Sequence, residues 1–284
     1  MMKKIFFTLF ALSYINAPLH ASGQEVKESF RWTVYYDNKE PEEAFKDFDI
    51  LVFDGEEHPP LFQLLDQGKQ PLGYLSLCEC KSIDPFFPEL KKQGLLVQEN
   101  ANWSGSYIMD VRGLSWNKRI LENLIPRILH HGFEGIFIDT VDNAGYLENK
   151  DPKKYAGMRK SAINIIKSIR HHYPHIVIML NRGYDILEEV APYVDIVLGE
   201  SVYTDYNFKK KEYFINEESL FQQQVQTLKK AQTINPNLKV FTLDYWPEDD
   251  WKGIVKIYAK QRENGFHPYV STINLNKVMK EPKV

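Results

Sequence analysis

The sequence predicts an α/β fold and, within that class, a single (β/α)8 barrel of the TIM type. Apolar runs of four to six residues alternate with helix-like segments along the chain, as expected for a parallel sheet that helices cover on both faces. Several runs end in a polar side chain, namely Asp139, Asn181, Glu200 and Asp244. The carboxyl ends of barrel strands meet at one opening, the mouth, where such barrels carry out their chemistry. These residues therefore predict a functional site at the mouth.

Eight strands are expected in chain order, near residues 31–37, 48–54, 71–77, 134–139, 176–181, 194–200, 238–244 and 267–272. Helices are expected between them, at Glu56–Asp66, Trp116–His131, Pro152–Tyr173, Asp185–Val190, Glu217–Ala231 and Glu248–Asn264. Pro126 should kink the second of these helices. Residues 78–115, with the strand-like run Ile108–Arg112, are interpreted as an elaborated loop over the mouth. A doubly wound open sheet is the alternative, but the chain lacks the glycine-rich turn that usually follows its first strand.

The first residues have the pattern of a secretion signal. A basic start, Met1–Lys4, precedes the mostly apolar stretch Ile5–Ile15, and Leu19–Ala21 supplies a small-residue cleavage site. The apolar stretch is shorter than the roughly 20 residues that span a bilayer, which favours cleavage over a membrane anchor. We therefore expect a signal peptide at 1–21, a barrel domain at 22–284, no stable membrane insertion after cleavage, and a periplasmic or secreted protein of open oligomeric state.

The charge balance restricts the class of partner. The chain has 35 basic and 38 acidic residues, a net charge of −3. Loss of residues 1–21 removes Lys3 and Lys4 and no acidic residue, which makes the net charge −5. This balance, without a basic patch that contains aromatic residues, argues against a nucleic-acid partner. It suits neutral or cationic ligands.

Neither a disulfide nor a metal centre nor a cofactor is expected. Cys78 and Cys80 are one residue apart, a spacing that would strain a disulfide. With no neighbouring histidine or further cysteine, they do not have the spacing of a zinc site. We expect them to pack as small residues of a strand.

Asp139 and Glu200 are the strongest candidates for catalysis. They end the predicted fourth and sixth strands, and alternate strands of a barrel direct side chains into the same layer. Two carboxylates in different environments are what glycoside hydrolysis requires, one ionised and one protonated. The ionised role suits Asp139, and the longer Glu200 suits proton transfer. Each residue alone could instead cap a helix or pair with an arginine.

The sequence around Asp139 resembles a known family. Gly132–Asp142 is similar to the G-F-D-G-x-x-x-D-x-x-D signature of glycoside hydrolase family 114, which contains endo-α-1,4-polygalactosaminidases. Gly73–Glu79 resembles the family's Y-L-S-x-G-E segment, and Trp103 with Met109–Arg112 resembles its W-x(n)-D-[VI]-R segment. Cys78 departs from the pattern, since the family tends to have glycine there. We expect its side chain to narrow the mouth near Glu79.

The resemblance implies an endo-acting, retaining glycosidase of an α-linked amino-sugar polysaccharide, with Asp139 as nucleophile and Glu200 as acid/base. It also implies that further polar residues line the substrate cleft, namely Asp54, Glu79, Asp110, Asn181 and Asp244. A ring of carboxylates there would attract the ammonium groups of a de-acetylated galactosamine polymer, and its members would be Asp54, Glu79, Asp110, Asp142 and Asp244. Such crowding would also raise the pKa of one of its members.

Aromatic residues near the strand ends are candidates for sugar binding. Tyr36, Tyr203 and Trp246 lie at such positions, where their rings would stack on sugar faces or pack as ordinary core. Trp103, in the long loop, is a candidate lid residue.

Two other functions stay open on the sequence. A carbohydrate-binding or matrix-associated barrel that has lost activity is one, although the intact Asp139 and Glu200 pair argues against it. A metal-dependent barrel hydrolase or an aldolase is the other. Metal ligands would be expected as histidines at strand ends, and the first strand ends instead in Tyr35–Asp37.

Overall fold

The computed structural model describes residues 30–283 and contains an eight-stranded parallel sheet. Its strands are β1 Trp32–Tyr35, β2 Ile50–Phe53, β3 Gln70–Ser76, β4 Gly135–Asp139, β5 Val177–Asn181, β6 Ile196–Glu200, β7 Lys239–Tyr245 and β8 His267–Ser271. They neighbour one another in chain order. All eight predicted strands and the predicted α/β class are therefore confirmed. The predicted signal peptide lies outside the described residues.

The sheet curves until β1 and β8 lie side by side. The Trp32 indole Nε1 donates to the carbonyl oxygen of His267 at 3.0 Å, and the Tyr36 amide donates to the carbonyl oxygen of Leu275 at 2.7 Å. The other neighbouring strands are joined by parallel backbone ladders. The architecture is thus a near-closed, TIM-like barrel.

Helices connect the strands on the outside of the barrel. They are α1 Phe62–Asp66, α2 Phe87–Lys92, α3 Leu114–Arg119, α4 Ile125–His130, α5 Asp142–Lys150, α6 Met158–His172, α7 Leu187–Val190, α8 Glu218–Ile234 and α9 Trp251–Glu263. Short 3-10 turns occupy Glu42–Phe45 and Ala191–Tyr193. Within residues 30–283, no helix has the length and apolar character needed to cross a membrane.

Two predicted helices differ in extent. The segment Glu56–Asp66 is helical only over α1, because Pro59 and Pro60 lack the amide protons that a helix interior requires. The predicted helix Pro152–Tyr173 begins at Met158, after Gly157 adopts a left-handed φ of 86°. The preceding helix α5, which starts three residues after Asp139, was not predicted.

Pro126 interrupts its helix as predicted, through a change of helix type. A π-helical turn, Ile120–Leu124, joins α3 to α4. Pro126 has no amide proton to donate to the carbonyl of Glu122, four residues earlier. The wider turn just before the proline accommodates this missing bond.

Two excursions extend from the carboxyl ends of barrel strands. Residues 78–115, called the insertion below, contain a three-stranded antiparallel sheet of Glu79–Lys81, Ser106–Met109 and Leu96–Glu99. This confirms the predicted elaborated loop. The second excursion follows β6 and was not predicted. It is a two-stranded antiparallel hairpin, Thr204–Asn207 paired with Glu212–Ile215, and is called the hairpin below.

Candidate active site

Strand register places the central polar residues on the inner face of the mouth. Residues paired across a parallel ladder face the same way, and faces alternate along each strand. Asp139 pairs with Ser76 and Glu200 pairs with Leu243. Tyr74 and Tyr245 lie two residues from these partners, so both tyrosines share the inner face with the carboxylates.

One amide joins the two carboxylates. The Asn181 Nδ2 group donates to Asp139 Oδ1 at 2.8 Å and to Glu200 Oε2 at 2.7 Å. These two distances together limit the separation of the acceptor oxygens to 5.5 Å. The structure therefore brings Asp139, Asn181 and Glu200 together, as the sequence predicts.

Each carboxylate also accepts a hydrogen bond from a tyrosine. Tyr74 OH donates to Asp139 Oδ2 at 2.8 Å, and Tyr245 OH donates to Glu200 Oε1 at 2.5 Å. The pKa of both phenols is raised well above its ordinary value. Burial is the largest cause, and the charge of the neighbouring carboxylate is the next. Both hydroxyls consequently stay protonated and act as donors over the physiological pH range.

The environment of Glu200 favours its protonated form. Burial is the largest cause that raises the pKa of this carboxyl, and the charge of Asp139 is the next. The hydrogen bonds from Asn181 and Tyr245 and the charge of Arg182 act in the opposite direction without cancelling the rise. A carboxyl group whose pKa is raised beside a second carboxyl group is suited to general acid catalysis.

The backbone bends sharply directly after each of the three central polar residues. Thr140, Arg182 and Ser201 follow Asp139, Asn181 and Glu200, and each has a left-handed φ, between 53° and 65°. Non-glycine residues rarely adopt this conformation, and it costs about 1–3 kcal/mol per residue. Hydrogen bonds from neighbouring strands hold two of these turns, because the Arg182 amide donates to Leu198 O and the Ser201 amide to Leu243 O.

Tyr36, Asp54 and Trp246 lie at or near the mouth, as expected. The Tyr36 ring packs edge-on against Tyr74, with centroids 5.6 Å apart, and the charges of Asp139, Glu200 and Asp54 contribute to raising the pKa of its phenol after burial. Asp54 accepts the Glu56 amide and lies 3.7 Å from the ammonium of Lys81. Trp246 donates its indole Nε1 to Asp250 at 2.8 Å.

Glu79 and Asp110 both have partners within the protein. Glu79 is 7% exposed, and its oxygens accept hydrogen bonds from Asn100, Ser106 and Asn143. Asp110 forms an ion pair with Arg112 at 2.6 Å, which holds the pKa of this carboxyl below its usual range. Glu79 thus ties the insertion to α5, and the placement of the two residues does not support their predicted contact with substrate.

Tyr203 and Asp244 lie behind the mouth. The Tyr203 ring is buried against Phe221, with centroids 5.2 Å apart. Asp244 precedes the inward-facing Tyr245, so it lies on the outer face of β7, where it is fully buried. Its oxygens accept the amides of Tyr203 and Thr204 and the Gln261 Nε2 group, and burial raises its pKa to about 6. Their placement indicates a role in fixing the loop after β6 and does not support the predicted substrate contacts.

The cysteines are free and buried, as predicted. The expectation that Cys78 narrows the mouth is wrong. Its side chain is fully buried, and its amide donates to Thr140 Oγ1 at 2.9 Å. The Cys78 backbone therefore stabilises the turn after Asp139 through this hydrogen bond.

Sequence reasoning missed two of the closest partners of the carboxylates. Tyr74 lies two residues before Ser76, and Tyr245 directly follows Asp244. The sequence shows both tyrosines, but only the strand register assigns them to the inner face. Arg182 was also missed. Its guanidinium Nε lies 3.2 Å from Asp142, a pair that anchors the turn after Asn181.

Comparison with known proteins adds to this geometry. The model of glycoside-hydrolase family GH114 matches residues 16–283. An uncharacterised protein of Thermotoga maritima is 23% identical over 295 residues, which cover 95% of this chain and 89% of the relative.

Two solved structures share the fold. The glycoside hydrolase domain of PelA from Pseudomonas aeruginosa superposes with a TM-score of 0.78 at 20% identity, over 88% of this chain and 98% of that chain. Aspergillus fumigatus Ega3 in complex with galactosamine superposes with a TM-score of 0.65 at 15% identity, over 87% of this chain and 93% of that chain. Because the family model covers nearly the whole chain, the protein belongs to glycoside hydrolase family GH114.

Proposed function

We propose that the protein is an exported, endo-acting and retaining glycosidase that cleaves an α-linked, galactosamine-containing polysaccharide. Asp139 is the nucleophile and Glu200 is the acid/base. The observation that carries the proposal is the single amide of Asn181 bonded to both carboxylates. These two hydrogen bonds hold the carboxyl groups of Asp139 and Glu200 close together, and the two groups have different environments.

The separation of the carboxylates favours retention of configuration. Retaining glycosidases hold their two carboxyl groups about 5–5.5 Å apart, whereas inverting enzymes leave about 6.5–9.5 Å for an attacking water. The upper limit of 5.5 Å between Asp139 Oδ1 and Glu200 Oε2 fits the first class. This limit on one pair of oxygens supports the retaining mechanism that we propose.

The proposed reaction assigns a separate role to each carboxyl group of the pair. Asp139 attacks the anomeric carbon while Glu200 transfers its proton to the leaving glycosidic oxygen, which releases one half of the polymer. Glu200, now ionised, then removes a proton from water as the water attacks the glycosyl–Asp139 ester. Hydrolysis frees Asp139 and leaves the proton on Glu200, so both residues return to their starting state.

The choice of sugar rests on family membership and on the chemistry of the mouth. Ega3, which shares the fold, was crystallised in complex with galactosamine. A protonated amino sugar at the centre would lie beside Asp139, and the partly exposed ring of Tyr36 offers an apolar face for a pyranose. Export follows from the composition of residues 1–21.

The test is reducing-end release by the purified protein on partly de-acetylated α-1,4-linked galactosamine polymer. We expect the parent protein to be active. In Asp139→Asn, kcat should fall by at least about 1,000-fold, which is typical of the loss of a nucleophile. Glu200→Gln should lose activity on the polymer and keep more of it on a substrate whose leaving group needs no proton. Product anomers, followed by NMR at early times, should show retention.

Two exposed carboxylates outside the mouth supply matched controls. Asp66→Asn at the end of α1 and Glu263→Gln at the end of α9 make the same chemical changes on the surface. Both should leave the rate unchanged. Polymer cleavage that survives Asp139→Asn in a folded protein, or inversion at the anomeric carbon, would refute the assigned mechanism.

A further inference from the structure

Three aromatic rings from two separate excursions form an exposed surface, called the aromatic platform below. Trp103 belongs to the insertion, and Tyr206 and Phe208 belong to the hairpin. The Trp103 and Phe208 rings meet edge-on with centroids 5.7 Å apart, and Phe208 meets Tyr206 at 5.3 Å. Trp103 remains 55% exposed and Phe208 45% exposed. Contiguous exposed apolar surface of this kind marks a binding site more often than ordinary surface does.

The aromatic platform borders a cavity of about 280 Å³. The remaining lining residues are Lys211, Ile273 and Asn274. A pyranose has one apolar face and a rim of hydroxyl groups. Aromatic rings can pack on the face, and the Asn274 amide can exchange hydrogen bonds with the rim. The composition therefore fits a sugar better than a purely apolar ligand.

Residues 273–275 connect the wall of this cavity to the catalytic centre by direct contacts. The Ile273 amide donates to Tyr213 OH of the hairpin at 3.4 Å, and the Leu275 carbonyl accepts the Tyr36 amide at 2.7 Å. Tyr36 in turn packs on Tyr74, the partner of Asp139. The same short segment therefore borders both the aromatic platform and the surroundings of Asp139.

Charge distinguishes the two ends of this path. The turn of the hairpin carries three consecutive lysines, Lys209–Lys211, of which Lys210 pairs with Glu212 at 3.3 Å and Lys211 lines the cavity. The catalytic centre instead presents the carboxylate of Asp139. At physiological salt, charges act over about 8 Å. An ammonium sugar is thus favoured at the centre and disfavoured beside Lys211.

We propose that the aromatic platform is a subsite for an uncharged, N-acetylated hexosamine unit of the same polysaccharide, outside the bond that is cleaved. The proposal rests on the proposed function for the identity of the polymer. It makes the preferred substrate a chain of mixed acetylation, with a free amine at the centre and an acetylated unit on the platform.

Binding to the inactive variant tests the proposal. The purified Glu200→Gln protein, which is expected to be inactive on the polymer and keeps the Asp139 carboxylate, is titrated calorimetrically with α-1,4-galactosamine trimers and hexamers, either fully de-acetylated or of mixed acetylation. We expect Trp103→Ala, and separately Phe208→Ala, to weaken mixed hexamer binding about tenfold and to leave trimer binding unchanged. Lys211→Ala should leave the mixed hexamer unchanged and strengthen the de-acetylated hexamer about threefold.

Phe62→Ala is the matched control, because Phe62 is an exposed phenylalanine at the start of α1. Its neighbour Leu61 packs toward Gly132, so Phe62 lies at the end of the barrel opposite to the aromatic platform. It should change no affinity. Equal loss for trimer and hexamer, no loss in either aromatic variant, or no difference between the two forms of hexamer would overturn the subsite. Thermal melting confirms that every variant folds.

Cleavage by the parent separates this proposal from the function on which it rests. Polymer cleavage together with hexamer binding that is independent of Trp103 would remove the subsite and keep the enzyme. Hexamer binding that depends on Trp103, in a parent that does not cleave, would keep the subsite and remove the catalytic assignment.

Discussion

Replacing Tyr245 with phenylalanine should shift the pH dependence of activity upward. The Tyr245 hydroxyl donates to Glu200 Oε1 at 2.5 Å. A hydrogen bond to a carboxylate stabilises the charged form, so it lowers the pKa of Glu200 against the opposing effects of burial and Asp139. Without the hydroxyl, the pKa of Glu200 rises further, and the ring still fills the same space.

The size of the shift follows from the strength of such a bond. Hydrogen bonds to charged groups contribute about 1.5–3 kcal/mol, and about 1.4 kcal/mol corresponds to one pKa unit. Glu200 is partly accessible at the mouth, which places the expected change at the lower end, about one unit. The general acid must be protonated to act. Activity is therefore lost as the pH rises through its pKa, and the alkaline limb moves up by about one unit.

The assay is kcat/KM on the polymer across pH 4–9, which reports the ionisation of the free enzyme. Tyr258→Phe is the control, because this buried tyrosine lies on α9 behind the barrel wall. It should leave the profile in place. An alkaline limb that stays fixed, or that moves to lower pH in a folded Tyr245→Phe protein, would show that Glu200 is not the group that sets it.

Three further changes test other parts of the structure. Asn181→Ala removes the donor shared by both carboxylates, and kcat should fall by about 100-fold or more, measured on the polymer with the fold checked by circular dichroism. Asp244 has a pKa of about 6 in the folded protein, which is above the value of about 3.9 in the unfolded chain. Its contribution to the free energy of unfolding is therefore complete below pH 4 and is lost as the pH rises through 6. Urea unfolding at pH 4 and pH 7 should show a loss on the order of 3 kcal/mol from this residue, and Asp244→Asn should abolish that part of the difference. Gly135→Ala would place a Cβ 2.1 Å from the Val177 carbonyl oxygen, and urea unfolding should show a destabilisation of about 3 kcal/mol.

The barrel strands could be predicted because they are buried on both faces. Gly135–Asp139 and Ile196–Glu200 each have four fully buried residues before the polar terminus, and such apolar runs stand out in a sequence without any knowledge of neighbours. Asp139, Asn181 and Glu200 could be found for the same reason. Each is the first polar residue after its run, and the left-handed residue that follows it ends the strand there.

Strand β7 shows why the rest could not be predicted. It continues one residue beyond Asp244, so that Asp244 and Tyr245 face opposite sides of the sheet. The sequence pattern does not reveal where the strand ends relative to its neighbours. Register decides it, and register depends on pairing between residues about 40 positions apart. The family resemblance assigned Glu79 to the cleft, and the sequence could not reveal its hydrogen bonds, because the partners Asn100 and Asn143 come from distant segments.

The partners of the acidic residues change the expected recognition of a cationic polymer. Of the carboxylates predicted to form a ring, Asp244 and Glu79 are buried in hydrogen-bond networks, Asp110 is paired with Arg112, and Asp54 lies near Lys81. Paired and buried carboxylates contribute little attraction to an incoming ammonium group, since their charge is already compensated or is distant from the cleft. The attraction then comes mainly from Asp139, the proposed nucleophile. Recognition of a free amine and catalysis would depend on the same carboxylate, so selectivity for de-acetylated units should be strongest at the catalytic centre and weak along the remainder of the cleft.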